Sequence, residues 1–502
     1  MALLFLALVS LGKPLPTEKP LPQEQLIPTL ETSLQLLAQL PAYQAPQLAV
    51  SLDLELREDR VTVVVQADHL SPAQLAPLEA ELKHSAPTLG LWEVELPRSA
   101  LLPLASLPGV RFVRRPFTPY PLTTSQGVAL IGAPAWHTAG LTGAGVRVAV
   151  IDLEFGGLSA AIAAGEVRNV IATIDYTGTG METGGPHGVA CAEIVSEVAP
   201  DAQLILMKID TEVQLQLAVT EALARGANVI THSVGWFNTN FYDGTGVICD
   251  IVRTATRGGA LWVNSAGNSG GGSHWEGPWR DSVGDGYLDF APGDETNEFY
   301  LDAGTPFACW LTWDAWPVTD QDYDLLLVDT STMTVVASSA NYQSGTQPPA
   351  EAIYFTPTAS GTYALVIEAW NAPLAPDLEL FCSPNLLSLE HWTAASSITA
   401  PGNAAESFTV GAIPWTDWTP GTLAPYSSRG PTNDGRTKPD LCAPDTVDTL
   451  SYGPSGFPGT SAAAPHVAGA AALALEANPS WGPAQLRSWL TTAAVDLGFP
   501  GP

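Results

Sequence analysis

Basic residues are scarce in this chain. Across 502 residues, 20 Lys and Arg stand against 51 Asp and Glu, a formal net charge of −31 at pH 7. A surface that negative is repelled by nucleic-acid phosphates and anionic lipid headgroups, which excludes nucleic acid and membrane as partners. Cysteine is scarcer: Cys191, Cys249, Cys309, Cys382 and Cys442 form no CxxC or Cys/His metal spacing. A disulfide framework is thereby excluded. Nowhere do 18 apolar residues run uninterrupted, so no membrane-spanning helix is expected. Charged residues make only 14 % of the chain and apolar ones 46 %, which excludes disorder as the main state and supplies cores for two to four domains.

What is present falls into segments. Residues 1–12, MALLFLALVSLG, are too short an apolar run to span a bilayer and read as a signal peptide, although the usual basic start is missing. Residues 13–46, rich in Pro, Gln and Leu, read as a linker with room for one short helix. Over 47–118, strands at 60–65, 91–96 and 110–113 alternate with helices at 71–82 and 99–107, a small split βαβ domain. Residues 123–270 carry near-continuous apolar strands at 146–151, 204–207, 229–230 and 260–263 with helices between them, the pattern of a parallel sheet covered on both faces. From 271 to 390 short alternating runs (307–312, 323–328, 334–337, 352–355, 363–367) are divided by Gly, Pro, Asp and Ser, an all-β sandwich set within the α/β domain. The α/β pattern then resumes over 391–502. The inserted segment holds 18 Asp and Glu against Arg280 alone, so it carries −17 of the −31.

Three short motifs in the α/β portion carry chemistry. Asp152 closes the apolar strand 146–151, at the edge where open α/β sheets bind ligands. His187 stands in Gly184-Gly185-Pro186-His187-Gly188, at a loop-to-helix junction. Ser461 lies in Gly459-Thr460-Ser461-Ala462-Ala463-Ala464-Pro465-His466, at a helix N-terminus, where free N–H groups favour developing negative charge. Each alone has a plainer reading: an N-cap, a structural histidine, a capping serine. Together they follow the order Asp, His, Ser.

On these residues the sequence resembles the subtilisin-like serine peptidases. Asn264-Ser265-Ala266-Gly267-Asn268, Tyr426-Ser427-Ser428-Arg429-Gly430-Pro431 and Lys438-Pro439-Asp440 extend the resemblance in the same order. It implies a subtilisin-like α/β fold, a parallel sheet with helices on both faces, preceded by a small α+β prodomain and interrupted by the β sandwich. It also implies a secreted serine endopeptidase made as a self-processing zymogen. Ser461 would be the nucleophile, His187 the general base, Asp152 its orienter, and Asn268 an oxyanion donor beside the Ser461 N–H. Substrate would lie along Ser233-Val234-Gly235, and Ser265-Ala266-Gly267 with the Ala400-Pro401-Gly402 loop would flank the P1 side chain, whose small walls leave room for a large apolar residue. The expected partners are protein or peptide substrates and the chain's own prodomain, with cleavage between about 117 and 126, and a monomer. No cofactor is required, and calcium would enter only as a structural ion; Asp281, Asp285 and Asp289 could ligate it, although a solvated acidic face is the better reading.

Departures from the family pattern bear on these expectations. After Asp152 stand Leu153-Glu154-Phe155 rather than a small hydroxyl residue and glycine, so a hydrogen bond to the aspartate is expected to be lost. Ala190 replaces the second histidine of the His motif. His232 and His466 read as packed core histidines. Cys309 and Cys382 are candidates for a bridge across the sandwich, with the other three cysteines buried. Two rivals stand beside the peptidase: a catalytically degenerate scaffold that binds through its acidic β domain, and a sedolisin-type acid peptidase, which would have a glutamate where His187 stands.

Overall fold

In the computed structural model, residues 27–41, 43, 45, 46, 56, 57, 59–114, 124–383, 388–419 and 421–496 are described. The signal-peptide segment and most of the expected cleavage region lie outside them. The chain divides into two compact units, Met1–Tyr120 and Pro121–Pro502.

The N-terminal unit is built on an antiparallel sheet. Arg60–Ala67 pairs with Leu91–Pro97, which pairs with Glu81–Ala86, while Leu56–Arg57 and Val110–Arg114 share the other edge of Arg60–Ala67. Val61, Val63 and Val65 are buried and their neighbours are not, the period-two pattern of a one-faced sheet. One expectation fails here. The helix expected over 71–82 ends as a turn of 3₁₀ helix at Ala76–Leu78, because Pro77 has no N–H to donate and Glu79 turns to φ 50°, so Glu81–Ala86 becomes a strand. The segment read as a linker holds the one short helix it had room for. Thr32–Gln39 is a helix whose Leu34 and Leu37 enter this unit's core.

The second unit centres on a seven-stranded parallel sheet. Its first strands are β1 (Arg147–Asp152), β2 (Val170–Asp175), β3 (Gln203–Lys208), β4 (Val229–His232) and β5 (Leu261–Ser265). Their apolar runs follow from burial on both faces: Val148 and Val150 join one core, Ala149 and Ile151 the other.

After β5 the chain leaves the sheet. Eight antiparallel strands form two four-stranded sheets. In chain order they are β6 (His274–Pro278), β7 (Asn297–Leu301), β8 (Phe307–Trp313), β9 (Asp322–Asp329), β10 (Thr334–Ser339), β11 (Ala350–Phe355), β12 (Gly361–Asn371) and β13 (Asp377–Ser383). One sheet runs β6-β13-β8-β11 and the other β7-β12-β9-β10. Trp313, Leu311, Leu325 and Leu380 fill the space between them. Strands β6, β7 and β13 are additional to the five read from sequence. Cys309 and Cys382 are directly opposite on neighbouring strands of the same sheet, not across the sandwich; their free thiols touch at 3.2 Å. Cys442 is only half-buried, unlike Cys191 and Cys249.

The chain then returns to the parallel sheet with β14 (Phe408–Pro414), beside β5, and β15 (Leu441–Asp445) at its edge. Two helices pack together on one face of this sheet: α1 (His187–Val198) and α2 (Thr460–Ala477). Small residues let them pack closely: a Cβ built on Gly469 of α2 would come 2.6 Å from the Val198 side chain of α1.

Candidate active site

Asp152 is the last residue of β1 and His187 the first of α1, and Gly188 makes their approach fit. A Cβ on Gly188 would come within 2.8 Å of the Asp152 Cβ, the Glu154 carbonyl and the Phe155 ring. With none there, His187 Nδ1 lies 3.0 and 2.9 Å from the two oxygens of Asp152. The carboxylate fixes the proton on Nδ1 and leaves Nε2 as the acceptor facing the cleft. Asp152 is buried, and the backbone N–H of Leu153 donates to its Oδ1 at 2.8 Å. A main-chain donor therefore serves the aspartate where a hydroxyl side chain is missing. Phe457 packs edge-on against the imidazole, ring centroids 5.6 Å apart.

Burial works against an imidazolium at His187, but the charge and hydrogen bond of Asp152, with the Glu154 carboxylate behind it, outweigh that penalty and raise its pKa. Glu154 is held by the Gly185 N–H, which donates to its Oε2 at 2.6 Å. The residue that departs from the family pattern is thus a charge aimed at the histidine loop.

Ser461, the second residue of α2, reaches the same cleft. Its Oγ donates to the Ser233 carbonyl at 3.3 Å, and among the described residues it makes no hydrogen bond to His187. Catalytic hydrogen bonds between nucleophile and base commonly tighten only around substrate. Ser233 is held in turn, its Oγ donating to the Ser461 carbonyl at 3.1 Å. Asn268 is oriented by its own oxygen: Oδ1 accepts from the Thr460 N–H at 3.0 Å and the Thr460 Oγ1 at 2.9 Å, which leaves the Nδ2 donors without a partner among the described residues. Gly459 makes room for that amide. Its φ of 102° suits glycine, and a Cβ there would sit 2.9 Å from Nδ2.

Asp152 sits behind His187, while His187, Asn268 and Ser461 line one cleft of about 440 Å³. Of the residues expected to bind substrate, Ser233, Gly235, Ser265 and Gly267 line it, whereas Val234 and Ala266 do not. Extended backbone alternates its sides, and Ala266 is buried with its N–H bonded to the Val410 carbonyl at 2.9 Å. Sequence reading missed Phe237, Thr399, Trp310 and Ser383, which also line the cleft. The last two come from β8 and β13 of the inserted sandwich; nothing local in the sequence marks them.

His232 and His466 are fully buried. His232 Nδ1 bonds to the Ile151 carbonyl at 2.7 Å and its Nε2 accepts from Trp236 at 3.1 Å; His466 Nε2 bonds to Ser125 Oγ at 2.8 Å. Burial pushes both down to about 4, so they are neutral packing groups. In the acidic loop offered for calcium, the carboxylates brace their own backbone. Asp281 already accepts from the N–H groups of Gly284 and Gly286 at 2.6 and 2.9 Å, and Asp289 from Ser282 at 2.6 Å.

Comparisons with known proteins bear on the family and the fold. The profile of the Subtilase family matches residues 330–502. An alkaline protease of Alkalihalobacillus alcalophilus is 28 % identical over 208 residues, covering 39 % of this chain and 53 % of that protein. A subtilisin-like protease of Arabidopsis thaliana is 42 % identical over 94 residues, 15 % of this chain and 13 % of that one. The chain therefore spans about half or less of the length of these curated relatives. Among solved structures, the CspB protease of Clostridium perfringens superposes with a TM-score of 0.56 at 16 % identity, covering 76 % of this chain and 93 % of that one. That likeness establishes the shared fold.

Proposed function

From a chain that carries a subtilase-family domain on a subtilisin-like fold, we propose a serine endopeptidase acting through Ser461, His187, Asp152 and Asn268. The observation that carries this reading is the convergence of a carboxylate-paired imidazole, a serine at a helix N-terminus and an amide with free donors around one cleft. Ser461 Oγ attacks the scissile carbonyl carbon while His187 Nε2 takes its proton. The imidazolium is stabilised by Asp152 and returns the proton to the leaving amine, and a water then repeats the sequence to release the acyl group. Asn268 Nδ2 and the Ser461 N–H stabilise the oxyanion. Residues 233–235 continue past the end of β4, outside the sheet ladder, where substrate can add as a strand.

The N-terminal unit is read as an inhibitory prodomain and the protein as a secreted zymogen. Substrates are proteins or peptides. Having a histidine beside Asp152 argues against the acid-peptidase mechanism. The test is to express wild type beside Ser461→Ala. Wild type is expected to cleave itself near residue 120 and to hydrolyse an unfolded protein, and the variant to stay intact. Processing of the variant at the same site by itself, or inertness of both, would sink the reading.

The pH profile follows from the histidine. The base works unprotonated, and the Asp152 and Glu154 charges raise its pKa, so kcat/KM should climb with a midpoint above that of an unperturbed histidine. Glu154→Gln keeps an acceptor for the Gly185 N–H but removes the charge. Its expected result is an ascending limb moved to lower pH, checked by parallel pH–rate profiles; an unmoved limb would show that Glu154 exerts no field on the imidazole.

A further inference from the structure

The cleft has small walls but a filled floor. Its two sides are the backbone at Ser233–Gly235 and at Ser265–Gly267, both lacking bulk. Thr399 lies between them: a Cβ built on Gly235 would be 2.9 Å from Thr399 Oγ1, and one built on Gly267 would be 3.3 Å from the same atom. One hydroxyl thus reaches both walls. It is itself buried, with no hydrogen-bond partner among the described residues, and Thr399 is only 2 % exposed, so it fills its place rather than opening into a deeper channel. The outer side is closed by the sandwich. Trp310 of β8 stacks flat on Phe237, with ring centroids 4.2 Å apart and planes within 9°, and Trp310 Nε1 is anchored to Tyr354 Oη at 3.2 Å. Among the described residues no Asp, Glu, Lys or Arg side chain lines the cleft, and its polar side chains other than His187 and Asn268 are neutral hydroxyls and the Trp310 indole.

We propose that the P1 pocket is shallow, blind and uncharged, and that Thr399 makes the enzyme select small P1 side chains of the alanine and serine class. This rests on the peptidase reading and reverses the expectation that small walls leave room for a large apolar P1 residue. Walls set the width of a slot, whereas its depth is decided by what crosses the bottom. Thr399 arrives there because the Trp236 N–H bonds to the Ala400 carbonyl at 2.7 Å, which draws the 399–401 segment against the extended chain after β4. An aromatic or leucyl P1 group would have to displace a buried threonine or a stacked aromatic pair. A positive or negative one would lose its hydration with no counter-charge in return.

The test is a series of peptide substrates alike except at P1, with Ala, Ser, Leu, Phe, Arg or Glu, hydrolysed by the mature wild-type enzyme and by Thr399→Gly and Thr399→Ser. Wild type is expected to favour Ala and Ser over Phe and Leu by about 10- to 100-fold in kcat/KM, the range that misfitting apolar groups command. Thr399→Gly, which deepens the slot, should erase or invert that ratio, while Thr399→Ser, which retains the hydroxyl, should keep most of it. A wild-type preference for Phe or Leu overturns the proposal without needing any variant to fold. An unchanged ratio in Thr399→Gly overturns the role of Thr399. Failure of wild type to hydrolyse every substrate, together with failure of Ser461 to react with a fluorophosphonate, would instead remove the peptidase reading itself.

Discussion

Replacing Ser461 or His187 by alanine is expected to lower kcat by about 10⁶-fold, and replacing both is expected to cost little more. The near-equality follows from the geometry. Ser461 Oγ is an ordinary alcohol until a base takes its proton, and the acceptor in its cleft is His187 Nε2, whose ring is fixed from behind by the two Asp152 oxygens at 3.0 and 2.9 Å. Without the serine the imidazole has no nucleophile to activate; without the imidazole the hydroxyl keeps its bond to the Ser233 carbonyl. Folding should survive both changes, since each side chain borders an open cleft rather than a core. Single-turnover rates for the two single variants and the double variant check this. Losses that add on the logarithmic scale would mean that the residues act separately.

The second large effect concerns Asn268. Its alanine variant should lose about 10²–10³ in kcat, with KM little changed, the cost found for removing an oxyanion donor from a subtilisin. The amide owes this role to Thr460, whose N–H and hydroxyl both donate to Oδ1 and so leave Nδ2 as the only end available for an oxyanion. Asn268→Asp places an acceptor where a donor is needed and is expected to do at least as much damage. A fall in binding without a fall in kcat, read from full Michaelis curves, would show that Asn268 holds ground-state substrate instead.

Legibility differed sharply between the reactive groups and their surroundings. Asp152, His187, Asn268 and Ser461 could be found because each needs a short local pattern: an apolar strand ending in a carboxylate, or glycines that admit a close neighbour. Gly188 and Gly459 show that physical need directly. The middle residues Val234 and Ala266 were read as part of their triplets, yet alternation of extended backbone turns them from the cleft. Strands β6 and β13 went unread because His274-Trp275-Glu276-Gly277-Pro278 lacks clean alternation, as does β13, where Leu378 through Cys382 are all buried. The short strand Glu81–Ala86 went unread because the capping signal at Ser71 and Pro72 promised a longer helix than Pro77 permits.

The scarcity of basic residues was likewise located by sequence, since the inserted segment holds one of them, Arg280, and most of the excess acid. What that segment does at the cleft was not. Its contribution there is an uncharged face, Trp310 and Ser383, while acids such as Asp281 and Asp289 are spent on neighbouring N–H groups. By itself the sequence determined the proposed chemistry, which atoms would attack, accept a proton and steady an anion, because such groups must be particular residues in particular local settings. Tertiary structure alone decided the size and reach of the cleft. Thr399 lies 164 residues from Gly235 in the chain, and Trp310 lies 73 from Phe237. Their approach is fixed by how two sheets and a returning chain pack, which no local pattern encodes.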